Sequence, residues 1–129
     1  MQVLDTHVWL WWMSGDERLK PVWNDVINND TDVGVSAISL FEVSWLVEHQ
    51  RIDLGCEPDW WFNQALEVSG ISLLPITPAI AMRAVRLPEH HSDPQDRLIM
   101  ATALEHNASL LSADTKFKLY EELESILVR

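Results

Sequence analysis

Apolar residues along this chain fall into two kinds of run. Short stretches at Gln2–Leu4, Val33–Ser36, Ser72–Ile76 and Ser109–Ser112, with a last weak one at Ile126–Val128, read as β-strands. Between them apolar positions recur at helical spacing over His7–Met13, Lys20–Asn28, Ile38–Gln50, Asp59–Val68, Ala79–Arg86, Gln95–His106 and Lys116–Leu123. Thr77-Pro78 and Asp93-Pro94 each set a capping side chain before a proline at the first helical position, where the missing N–H is harmless. Strands alternating with helices of roughly ten residues demand crossover connections. The expected fold is therefore α/β, a three-layer arrangement with a central, mostly parallel sheet flanked by helices. Sheets of this kind gather ligands outside the carboxyl ends of their strands.

The chain has 129 residues, 47% of them hydrophobic, with seven tryptophans, enough for a sizeable core in one domain, 1–129. Its four glycines and the lack of low-complexity runs leave no linker to divide it. The apolar run Val8–Met13 is too short to span a bilayer, and Asp5 interrupts any leader-like start, so a soluble cytoplasmic protein without a membrane partner is expected. Cys56 has no partner for a disulfide, and no Cys/His spacing suggests zinc. Twenty acidic residues against nine lysines and arginines give a net charge of −11. That balance disfavours nonspecific binding to a phosphate backbone and suits a cation or a basic partner. A Gly-rich phosphate loop, a nucleophile elbow and a dinucleotide fingerprint are all missing, which disfavours ATPase, serine hydrolase and dehydrogenase chemistry.

Five acids carry the chemistry. Asp5, Asp93 and Asp114 each stand where an N-cap or Asx turn would, and Asp96 sits three residues after Asp93, near capping-box spacing. Asp96 nevertheless shares a helical face with Ile99, Met100 and Ala103. Glu42 resists the capping explanation, because it lies mid-helix in "AISLFEVSWLVEH", inside the apolar stripe with Ile38, Trp45 and Leu46. A buried pairing with Arg97 or Arg83 is the structural alternative. Asp5, Glu42, Asp96 and Asp114 all fall near carboxyl ends of predicted strands, where a parallel sheet brings them into one cleft. Two carboxylates ~4 Å apart repel by about 4 kcal/mol at an effective dielectric of 20, so such a cluster needs protons or a bound cation. Oxygen-only donors suit Mg2+ or Mn2+.

These acids lie in "LDTHVWLWW", "VSAISLFEVSW", "LLPITPAIAMRAVRLPEHHSDPQDRLIMATAL" and "LLSADTKF", stretches whose order and spacing resemble the PIN-domain family. Within it the likeness is to VapC-type toxin ribonucleases of bacterial toxin–antitoxin pairs. The resemblance implies a three-layer α/β fold and a metal-dependent endoribonuclease site that leaves a 5′-phosphate and a 3′-hydroxyl. It assigns the metal-binding and catalytic roles to Asp5, Glu42, Asp96 and Asp114, and supporting positions to Thr6, Asp93 and Ser112. Serine at position 112 departs from the more usual threonine. It also implies a homodimer and an antitoxin with a basic tail that crosses the active site.

Arg97, Lys116 and Lys118 follow proposed metal ligands and are expected to hold RNA phosphates, with solvated surface charge as the alternative. Arg83 and Arg86 form a second basic strip or ordinary surface. His90 and His91 read as loop residues at the cleft mouth, since no further His or Cys has zinc-like spacing. Trp9 and Trp12 share a face and Trp11 points elsewhere, which makes part of the cluster core and part a possible interface. Two readings compete with the nuclease. One is a catalytically weak PIN-like binding module that sequesters a protein or docks RNA; the other is a metal-dependent phosphatase, disfavoured because no D-x-D follows the first strand.

Overall fold

Five strands make the middle layer of the computed structural model, which describes residues 1–129. They are β1 (Gln2–Leu4), β2 (Val33–Ser36), β3 (Ser72–Leu74), β4 (Ser109–Leu111) and β5 (Leu127–Val128). They lie in the order β3-β2-β1-β4-β5, and every pairing is parallel. Six helices flank them: α1 (Thr6–Ser14), α2 (Pro21–Asn29), α3 (Ile38–Glu48), α4 (Pro58–Asn63), α5 (Pro78–Arg86) and α6 (Pro94–Glu105). None is long and apolar enough to cross a membrane.

Alternation along each strand divides the core in two. Leu4, Val33, Val35 and Leu111 meet Val8 and Trp9 of α1, Trp23 and Ile27 of α2, Val43 of α3 and Trp61 of α4. Val3, Leu74 and Leu110 meet Ile99, Met100 and Ala103 of α6, together with Phe117, Tyr120 and Leu123. α6 is covered on its far side as well, by Ile80 and Ala84 of α5 against Ala101, so its stretch Ile99–Ala103 is buried throughout. Gly34 is needed for close packing: a Cβ there would come within 2.9 Å of Leu74 Cδ1 and 3.1 Å of the Ser72 carbonyl.

Tryptophans fill the first core and leave a remainder outside. Trp9, Trp23 and Trp61 are buried, Trp11 and Trp12 are half-buried against them, and Trp45 and Trp60 are exposed. The Trp23 indole donates to the Val128 carbonyl at 2.9 Å, tying α2 to the last strand.

Several boundaries differ from the pattern-based expectation, each for a local reason. Strand Ser72–Ile76 stops at Leu74, ahead of Pro75, which cannot donate to a ladder. Helix Asp59–Val68 opens on Pro58 and widens into a π turn at Gln64–Val68. Helix Ile38–Gln50 ends at Glu48, and Gln50 takes φ 55°. The expected helix Lys116–Leu123 is instead two 3-10 turns, Phe117–Leu119 and Glu121–Leu123. Its buried residues Phe117, Tyr120 and Leu123 recur every third position, the period of a 3-10 rather than an α-helix.

The chain runs from β1 outward through β2 to β3, then returns to the other side of β1 to form β4. The connections therefore change direction between β1 and β4. A crevice opens there beyond the carboxyl ends of these strands, the place such sheets offer a ligand.

Candidate metal centre

Each wall of that crevice ends in an acid. Asp5 follows β1 directly and caps α1, its Oδ1 accepting from the Thr6 N–H at 2.8 Å. Its Oδ2 accepts from the Ser112 hydroxyl at 2.7 Å. Ser112, the residue after β4, also accepts from the Asp114 N–H at 3.0 Å, so one buried serine couples the two strand ends. Asp114 uses Oδ1 in an Asx turn with the Lys116 N–H, at 2.8 Å. Asp93 caps α6 through the Gln95 N–H at 2.9 Å, and Asp96 stands in the first turn of the same helix. Capping is real for Asp5 and Asp93, yet it engages one side of each carboxylate only.

Asp5, Glu42, Asp93, Asp96 and Asp114 line one cleft of about 360 Å³, bordered by His7, Trp11 and Ala113. Four elements contribute: the ends of β1 and β4 and the helices α3 and α6. No lysine or arginine pairs with any of the five. Arg83 pairs with Glu105 at 3.6 Å instead, and the side chain that does reach these carboxylates is an imidazole, that of His91. Glu42 therefore lacks the arginine partner that a structural explanation requires, and its Oε1 is buried without any hydrogen bond. Burial, opposed by the Ser112 hydrogen bond and assisted by Glu42, pushes the Asp5 carboxyl up to about 6. Burial and then the charges of Asp5, Asp93, Asp114 and Glu42 push Asp96 up to about 8. Crowded, desolvated carboxylates with one orphaned oxygen fit a hard divalent cation.

Two expectations about basic residues are corrected. Arg97 does not face the cleft; it is buried, and its guanidinium donates to the carbonyls of Val85, Leu87, Pro88 and His91 at 3.1, 2.6, 3.0 and 3.1 Å. With those four bonds made in the interior it is not available to a phosphate. Lys118 lines a separate depression with Tyr120, Glu121 and Arg129, whereas Lys116 is exposed just after Asp114. The Thr6 hydroxyl shares a 2.8 Å hydrogen bond with Ser39, joining α1 to α3.

One member of the cluster is a residue that sequence reasoning assigned to the loop. The His91 Nε2 lies 2.5 Å from Asp96 Oδ2 and 3.6 Å from Asp114 Oδ2, with the side chain only 10% exposed. The available signal was the spacing His91, Asp93, Asp96 around Pro94, which a search for paired Cys and His passes over.

The chain belongs to the PIN-domain family: the model of the PIN domain matches residues 3–123. Ribonuclease VapC22 of Mycobacterium tuberculosis (strain ATCC 25618 / H37Rv) is 36% identical over 127 residues, covering 98% of this chain and 96% of that protein. Among solved structures, VapBC2 from Rickettsia felis bound to a promoter DNA fragment aligns with a TM-score of 0.70 at 17% identity, over 98% of this chain and 96% of that one. A toxin–antitoxin complex from Klebsiella pneumoniae aligns at 0.69 and 19%, over 100% and 97%. FitAcB from Neisseria gonorrhoeae aligns at 0.64 and 22%, over the same shares. These structures share the three-layer fold described above.

Proposed function

We propose that this protein is a Mg2+-dependent endoribonuclease, with Mn2+ as an alternative ion, and the toxin of a toxin–antitoxin pair. The observation that carries the reading is a cleft with five carboxylates, one of them with a buried unpartnered oxygen, and no lysine or arginine to neutralise them. A relative named as a ribonuclease, matched over nearly the whole chain, supports the choice of RNA.

Asp5, Glu42, Asp96 and Asp114 are the side chains that would hold the cation. Bound there, it supplies Lewis-acid activation of water and neutralises the phosphodiester in an in-line displacement. The protein's own part is positioning. Ser112 fixes Asp5 through Oδ2 and the Asp114 backbone through its N–H, holding two strand ends in register. Asp93 starts α6 and so sets where Asp96 projects. Lys116, exposed beside Asp114, is the rim cation for an RNA phosphate, a contact that positions the strand without reading sequence. The Asp5 N-cap role sets the angle at which α1 leaves the cleft.

An overall charge of −11 suits an antitoxin whose basic tail crosses this cleft. The solved toxin–antitoxin complexes of the same fold support that partner, and the exposed Trp45 and Trp60 are surface available to it or to a second copy in a homodimer.

Purified protein incubated with structured RNA, with and without EDTA, tests the reading. Cleavage should stop with chelator and with Asp5→Asn or Asp96→Asn in folded protein. Cleavage that persists in either case removes the metal-nuclease account, and RNA bound tightly but left intact by metal-loaded protein points to a binding module.

A further inference from the structure

Resting on the cation site proposed above, we infer that His91 is a positioning residue for Asp96: from behind the cleft its imidazole holds one oxygen of that carboxylate and leaves the other to the cation. The contact is a direct hydrogen bond, 2.5 Å from Nε2 to Asp96 Oδ2, made by a side chain only 10% exposed. A carboxylate that binds a cation is ionised and can only accept, so Nε2 carries the proton and donates it.

The need for such a partner follows from how the other acids are held. Asp5 is fixed on both oxygens, by the Thr6 N–H and the Ser112 hydroxyl. The Lys116 N–H fixes Asp114 in its Asx turn, and the Gln95 N–H fixes Asp93 as the cap of α6. Asp96 has no backbone donor of this kind, and His91 supplies the one hydrogen bond its carboxylate makes. Without it, repulsion from the other carboxylates of the cleft would turn Asp96 toward another rotamer. Asp114 Oδ2, at 3.6 Å from the same nitrogen, is beyond hydrogen-bonding distance, so the bond belongs to Asp96 alone.

His91 is itself braced. Its carbonyl accepts from Arg97 at 3.1 Å and from the Tyr120 hydroxyl at 3.4 Å, and its ring lies against the buried Phe117, 6.4 Å between ring centres. Arg97 follows Asp96 on α6. The loop that carries the imidazole is thereby tied to the helix that carries the carboxylate, and the two keep their spacing as a unit. The adjacent His90 is exposed and packs edge-on against Tyr120, outside this arrangement.

Calorimetric titration of the full chain with Mg2+, with cleavage of structured RNA alongside, compares the wild type with His91→Gln, His91→Asn and His91→Leu. A glutamine amide reaches about as far as Nε2, an asparagine amide stops near Nδ1, and leucine fills the volume without a donor. Asn and Leu should weaken Mg2+ binding roughly 10–100-fold and lower kcat while KM for RNA changes less than about 2-fold. Gln should recover most of both losses, and His90→Gln should match the wild type. Unchanged Mg2+ affinity in the Asn and Leu variants overturns the assignment, as does a Gln variant no better than Asn, the result a purely packing role produces. Should the Leu variant fail to fold, the Gln and Asn pair decides. Wild-type protein that binds no Mg2+ overturns the cation site beneath, whereas a binding wild type whose variants do not differ from it overturns the role of His91 alone.

Discussion

Replacing Arg97 by methionine keeps most of the side-chain length and removes the guanidinium. Four carbonyls, of Val85, Leu87, Pro88 and His91, then lose donors at 3.1, 2.6, 3.0 and 3.1 Å. Hydrogen bonds from a charged donor contribute about 1.5–3 kcal/mol each, which summed naively gives roughly 6–12 kcal/mol. That total overstates the loss, because Val85 and Pro88 are exposed and their carbonyls can turn to water, while Leu87 is buried. Removing a buried charge also relieves its desolvation. A net loss of about 3 kcal/mol follows, large against a typical stability of roughly 5–15 kcal/mol. With a urea slope of about 1.5 kcal/mol/M, the unfolding midpoint should fall by roughly 2 M. Equilibrium urea unfolding followed by tryptophan fluorescence measures it. A shift corresponding to less than about 1 kcal/mol would refute the reasoning, as would a stable variant whose only defect is weaker, less salt-sensitive RNA binding, the signature of a phosphate contact.

Three further outcomes are expected. Asp5 and Asp96 have folded-state pKa values raised to about 6 and about 8 from 3.8, so their protonated forms favour the fold. Metal-free protein should accordingly be most stable near pH 4 and lose stability as pH rises through about 6 and about 8, with divalent cation restoring it most strongly at the alkaline end; thermal unfolding across pH 4 to 9 with EDTA or Mg2+ reads this. Asp96→Asn should raise the melting temperature of the metal-free protein at pH 8 while abolishing cleavage, since it removes a charge repelled by four neighbours; a lower melting temperature in EDTA contradicts the electrostatic account. Gly34→Ala should destabilise by about 1–3 kcal/mol through the 2.9 Å approach to Leu74, and an unchanged unfolding midpoint would show that the sheet there yields freely.

Much of the site was legible because polar residues broke patterns that packing alone would have kept. Glu42 stands in the apolar stripe of α3, and Asp5 and Asp114 each follow a strand whose parallel partners could be inferred from strand and helix alternation. Arg97 carried a comparable signal that was read differently. It precedes Met100 by three residues and Ala101 by four, on a buried face, yet its place beside Asp96 suggested an ion at the cleft rim. What a guanidinium does in the interior depends on carbonyls brought in by the loop after α5, and no local spacing reveals them. His91 was hidden for the same reason: its ring is aimed by backbone contacts to Arg97 and Tyr120, residues 6 and 29 positions away. The two 3-10 turns were misread because an apolar period near three is hard to separate from 3.6 over eight residues.

The most direct test of the central claim is calorimetric titration of metal-free protein with Mg2+ and with Mn2+ at pH 8, set beside the Asp5→Asn/Asp96→Asn double variant. Saturable binding by the wild type that disappears in a folded double variant is the expected result. Equal binding by both proteins, or none by the wild type, would contradict the claim that a cation balances these carboxylates.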